Sequence, residues 1–152
     1  MINREMIVLD SELKDRNDVI KYLSEKARTL GYISDMDKYV EAVKKREAEF
    51  STAIGYEVSI PHGKSESVNE AFIAFLRSKN GLYWDDNKES EVKLVFLLGV
   101  PESKKETLHL KILAQISRRL MDEEFREKLI KSDYKQVYEL LNEIEKNISV
   151  ED

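Results

Sequence analysis

Two histidines and one arginine are the residues of this 152-residue chain whose types and surroundings point to chemistry. His62 lies in "SIPHGKSES", between Pro61 and Gly63. Proline holds its own φ near about −65° and pushes the preceding Ile60 toward extended backbone. Glycine lets the chain turn sharply with no Cβ in the way. The pair is expected to present an imidazole at the end of a strand, where α/β sheets bind ligands. Gly63, Lys64 and Ser65 then offer small side chains, a hydroxyl and free N–H groups suited to an anion-binding nest. The plainer alternative is a loop histidine beside a turn proline.

His109 shares a helical face with Leu113, Ile116 and Leu120. A histidine on such a face is usually a satisfied core residue. Its place in the first turns of its helix favours nearby anions and the neutral imidazole. A neutral imidazole there can donate a hydrogen bond to a phosphoryl oxygen. Arg46 sits in the charge run "KKREAE", which for Lys44, Lys45 and Glu47 reads as a solvated helix face. Arg46 follows Val43 and Tyr39 by three and seven residues, on the face that packs. A planar, permanently charged guanidinium suits an oxyanion such as phosphate.

Composition narrows the chemistry. The net charge of −5 argues against nucleic acid and against an anionic membrane surface as partner. With no cysteine, thiol catalysis, disulfides and zinc–thiolate sites fall away together, which fits a cytoplasmic location. Two histidines with no carboxylate at a ligand spacing make a poor zinc site. No G-x-S-x-G elbow, Walker A motif or kinase glycine-rich loop is present. What remains is phosphoryl transfer on histidine itself, which is mostly positioning and charge stabilisation.

The elements that must position these residues alternate. "MIVLD" (6–10) is a short strand, and "RNDVIKYLSEKARTLGY" a helix stopped by Gly31. Ser34, with Asp37 three residues on, starts a second helix with Met36, Tyr39, Val40 and Val43 on its apolar face. "EVSIPH" is a strand ending at Pro61, and "AFIAFLRS" (71–78) another; "KNGLYWDDNKE" is turn-rich, with Tyr83 and Trp84 as exposed aromatics. "VKLVFLLGVP" (92–101) reads as a strand buried on both faces. Three helices close the chain, one of them capped by Asp122. No apolar run reaches the roughly 20 residues of a membrane span, and the N-terminus lacks a signal-peptide core. The expectation is a single α/β domain over 1–152, a sheet with helices on its faces.

"REAEFSTAIGYEVSIPHGKSESV", followed after a gap by "VKLVFLLGVPESKKETLHLKILAQISRRLMDEEFREKLI", resembles the fructose/mannitol-type IIA proteins of the phosphoenolpyruvate-dependent sugar phosphotransferase system. The resemblance implies a three-layer α/β/α fold around a mixed sheet. It implies that His62 accepts a phosphoryl group from the carrier protein HPr and passes it to a IIB protein or domain. It places His109 beside that group as stabiliser and Arg46 as the active-site arginine, with neither metal nor cofactor. Ser51 and Thr52 are then candidate donors to phosphate, with helix termination and capping as the alternative. Lys64 would meet the partner or stay solvated. Glu57, a carboxylate close to a phosphate site, either points outward or tunes partner choice. The nitrogen-related IIA proteins of the same superfamily use the same site as a signal, so a regulatory role is the alternative to transport.

Overall fold

A computed structural model describes residues 1–86 and 88–151, with 104–106 and 149–151 as backbone only. The chain runs β1 (Ile2–Ser11), α1 (Arg16–Thr29), α2 (Met36–Glu49), β2 (Ala53–Gly55), β3 (Val58–Ser59), β4 (His62–Ser65), β5 (Phe72–Tyr83), β6 (Glu91–Pro101), α3 (Lys105–Leu120), α4 (Glu123–Lys131) and α5 (Tyr134–Glu151). Among the described residues no helix is long and apolar enough to cross a membrane.

The strands form one mixed sheet in the order β1-β5-β6-β3-β2, with β4 also pairing β6. β1/β5, β3/β6 and β4/β6 are parallel; β5/β6 and β2/β3 are antiparallel. Side chains alternate across the two long central strands, as strand geometry requires. Phe72, Ala74 and Leu76 of β5, with Val95 and Leu97 of β6, meet Val19, Ile20 and Leu23 of α1 and Tyr39 and Val43 of α2. Ile73 and Phe75, with Leu94, Phe96 and Leu98, meet the apolar faces of α3, α4 and α5. Two cores on opposite faces of one sheet make the three layers, as expected.

Several local readings change. Asp35, not Ser34, caps α2: its carboxylate accepts the Lys38 N–H at 3.1 Å, while the Ser34 hydroxyl donates to the Ser67 carbonyl. "EVSIPH" is not one strand. Tyr56 and Glu57, with φ of 56° and 62°, form the two-residue turn of a tight hairpin between β2 and β3. β5 does not stop at Ser78; it bends at Gly81, where φ is 79°, and continues to Tyr83. Trp84 is buried rather than exposed.

His62 opens β4 instead of closing a strand. The ladder sets His62 beside Leu98 and Gly63 beside Gly99. Gly63 has no positive φ, so sharp turning is not its reason. A Cβ there would lie 2.9 Å from Val43 Cγ2 and 3.2 Å from the Val43 backbone nitrogen. Its lack of a side chain lets α2 lie directly on β4. The Tyr39 hydroxyl ties α2 to the neighbouring β6, donating to the Leu98 carbonyl at 2.6 Å. Gly63→Ala is expected to lower stability by about 1–3 kcal/mol in denaturant unfolding, the usual cost of overpacking. A wild-type midpoint would show that α2 yields freely.

Candidate functional site

Three elements converge on one cleft of about 370 Å³. Lys45 and Arg46 come from α2, His62, Gly63 and Lys64 from β4, and His109 from the first turns of α3. Glu49 of α2 also lines it. The two imidazoles meet edge to face, with ring centroids 4.7 Å apart at 60°.

The His62 ring is fixed by its own backbone. Its Nδ1 lies 2.9 Å from the Ile60 carbonyl oxygen. A carbonyl only accepts, so Nδ1 carries the proton and Nε2 keeps its lone pair. Rigid Pro61, between the two, narrows the path the chain can take from that carbonyl to the ring. Burial pushes the His62 pKa below its usual 6.5, with Arg46 and Lys64 adding to the effect. The bond to Ile60 and the Glu47 carboxylate oppose it.

His109 is 7% exposed, yet its Nε2 is buried with no hydrogen-bond partner among the described residues. That differs from the satisfied core histidine of the plainer reading. Burial, then the nearby His62, Lys64 and Arg46, lower its pKa to about 4. At pH 7 the ring is therefore neutral. The unfolded chain binds this proton near pH 6.5 while the folded chain resists it down to about 4. This histidine's contribution is intact above pH 6.5 and is lost as pH falls toward 4. His109→Gln is expected to flatten the fall in stability over that window. Denaturant midpoints at pH 7 and pH 5 that shift equally in variant and wild type would contradict it.

Arg46 donates from one guanidinium nitrogen to the Phe50 carbonyl at 2.7 Å, just past the end of α2. That bond steers a long side chain toward the cleft. The remaining candidates are engaged elsewhere. The Ser51 hydroxyl accepts the Ala53 N–H at 3.1 Å, closing a local turn. The Thr52 hydroxyl donates to Glu47 at 2.6 Å and is buried. The Ser65 hydroxyl bonds that of Ser67 and accepts the Ser67 N–H. None of the three lines the cleft. Residues 62–65 are extended, so their N–H groups alternate between strand edges and form no nest. Glu57 points to Lys93, at 3.4 Å, and does not line the cleft either.

Glu47 is the residue that the charge-run reading missed. It is 7% exposed, and its carboxylate accepts from the Thr52 N–H at 2.7 Å, the Thr52 hydroxyl, and the Trp84 indole N–H at 3.1 Å. The signal was present. Tyr39, Val43 and Glu47 recur every four residues, a tighter match to one helix face than Arg46 makes.

Fold and cleft together define a three-layer α/β/α domain whose cleft is built around a pair of imidazoles. The chain belongs to the family described as phosphoenolpyruvate-dependent sugar phosphotransferase system, EIIA 2, whose model matches residues 1–144. It is 36% identical over 141 residues to the fructose-specific EIIA component of Haloferax volcanii, covering 92% of this chain and 91% of that one. It is 32% identical to the fructose-specific EIIABC component of Bacillus subtilis over 96% of this chain, but spans only 23% of that longer protein. The crystal structure of nitrogen regulatory protein IIA-Ntr from Neisseria meningitidis superposes with TM-score 0.79 at 26% identity, covering 92% of this chain and 95% of that one. Enzyme IIA of the Escherichia coli mannitol system, in complex with phosphorylated IIB, superposes with TM-score 0.79 at 21% identity over 93% and 99% of the chains, a likeness of fold.

Proposed function

We propose that this protein, as a single domain over 1–152, is a cytoplasmic phosphocarrier of the fructose/mannitol class. In this reading His62 takes a phosphoryl group from HPr and hands it to a IIB protein or domain. The observation that carries it is the 2.9 Å contact between His62 Nδ1 and the Ile60 carbonyl, which leaves Nε2 as the nucleophile. The Nε2 lone pair attacks phosphorus in line. The new N–P bond forms as the donor's N–P bond breaks, and the donor imidazole leaves with the electron pair. Arg46, Lys64 and His109 line the cleft where the equatorial oxygens would lie, and donors already aimed at developing charge need no reorganisation. The orphan Nε2 of His109 has hydrogen-bonding capacity that a phosphoryl oxygen would satisfy after a small ring movement.

Incubation with phosphoenolpyruvate, enzyme I and HPr should add one acid-labile phosphate by intact mass. No mass gain would sink the reading. His109→Gln is expected to keep capture but slow onward transfer to IIB; an unchanged transfer rate would remove His109 from the mechanism. A second reading is regulatory, supported by the similarity to the Neisseria nitrogen regulatory protein. Phosphate that forms on His62 but is passed to no IIB partner would favour it.

A further inference from the structure

A continuous chain of hydrogen bonds joins buried Glu47 to the ring of His62. The Glu47 carboxylate holds both the N–H and the hydroxyl of Thr52, at 2.7 and 2.6 Å. The Thr52 carbonyl accepts the Ile60 N–H at 3.0 Å. The Ile60 carbonyl accepts the His62 Nδ1–H at 2.9 Å. Beyond Glu47, the Trp84 indole N–H anchors the other end from the end of β5, at 3.1 Å.

Three donors on one buried carboxylate tie Thr52, three residues past the end of α2, rigidly to the last turn of that helix. At Thr52 and again at Ile60 the N–H and the carbonyl belong to successive peptide units, so the chain passes position from Glu47 toward His62, and the charge on Glu47 strengthens its first links. The Ile60 residue that presents its carbonyl to Nδ1 is thus held, through Thr52, from a charged group. Arg46, the adjacent residue on α2, is indexed to the same anchor, so guanidinium and imidazole share one reference point.

We propose that Glu47 is a positioning residue that holds His62 in its Nδ1–H tautomer, acting through Thr52 and Ile60. The inference rests on the phosphocarrier reading for its consequence in rate, but not for its consequence in tautomer. Glu47→Gln preserves shape and can still accept from Thr52 N–H and Trp84, while the Thr52 hydroxyl must turn to accept from the new amide.

The test is imidazole nitrogen NMR on the unphosphorylated protein, beside phosphoryl-transfer kinetics from phospho-HPr. In wild type Nδ1 should be the protonated nitrogen. In Glu47→Gln the protonated-Nε2 form should appear, and capture should slow about tenfold, the scale expected of a misplaced reacting group. Glu47→Asp, which keeps the charge on a shorter arm, should recover part of the tautomer preference. Ile20→Val loosens the core beneath α1 without touching the chain; it should lower the melting temperature and leave the tautomer unchanged. A wild-type tautomer in Glu47→Gln, or an equal shift in Ile20→Val, would overturn the proposal. If even wild type takes no phosphate, the transport and regulatory readings both fail, and the tautomer still decides the role of Glu47.

Discussion

His62→Gln is expected to take up no acid-labile phosphate at all from phosphoenolpyruvate, enzyme I and HPr. The amide has no basic lone pair to attack phosphorus, so the loss is absolute rather than graded. His109 cannot substitute, although it lies 4.7 Å away ring to ring. Its Nε2 is enclosed, so a bulky phosphohistidine on a partner protein could not align with it. The variant should still fold, because the side-chain hydrogen bond it loses joins His62 only to Ile60, two residues back in the chain. In wild type the phosphate should sit on Nε2, assignable by phosphorus–nitrogen coupling. Phosphate found on Nδ1, or on the folded His62→Gln protein, would contradict the geometry on which the mechanism is built.

The sequence exposed the layers more readily than the corner that holds the site. β6 is apolar from Leu94 to Val100 because it is covered on both faces there, and "VKLVFLLGVP" shows this directly. The apolar stripes of α1 and α2 were equally plain. The His62 region was harder because three short elements replace one strand there. The hairpin turn at Tyr56 and Glu57 uses positive φ at non-glycine residues, which leaves no Asn-Gly or Asp-Gly signature to read. Gly63 after a proline and a histidine has the look of a turn residue, but its reason lies in α2, a close approach that only the folded chain reveals. Glu47 looked like surface because its neighbours are lysines and glutamates. Its three donors come from positions 52 and 84, and the indole of Trp84 is too distant in sequence to be paired with it by spacing. Hydroxyl candidates misled for a related cause: Thr52 and Ser65 serve the frame around the histidine, and a hydroxyl's type does not say which of the two it serves.

Arg46→Gln is expected to slow capture about a hundredfold, as loss of a donor aimed at developing charge does. The same variant should move the His62 titration upward. Burial is the main reason that the His62 pKa lies below 6.5, and the Arg46 charge deepens the depression by opposing an imidazolium nearby. Without it, the ring holds its proton to higher pH, and the acid limb of the rate profile should shift toward neutrality. Glu47 acts with the opposite sign on the same ring, so Glu47→Gln should move that limb down. Two neighbouring residues on α2 thus make opposed predictions from one cleft. A merely destabilised protein would lose rate at every pH and move neither limb. Arg46→Lys separates charge from shape: it restores the titration but not the fork that grips both Phe50 and an oxyanion. Rate recovered fully by lysine would show that position 46 supplies charge alone. An acid limb unmoved in Arg46→Gln would show that the guanidinium lies too far from His62 to share the phosphoryl charge.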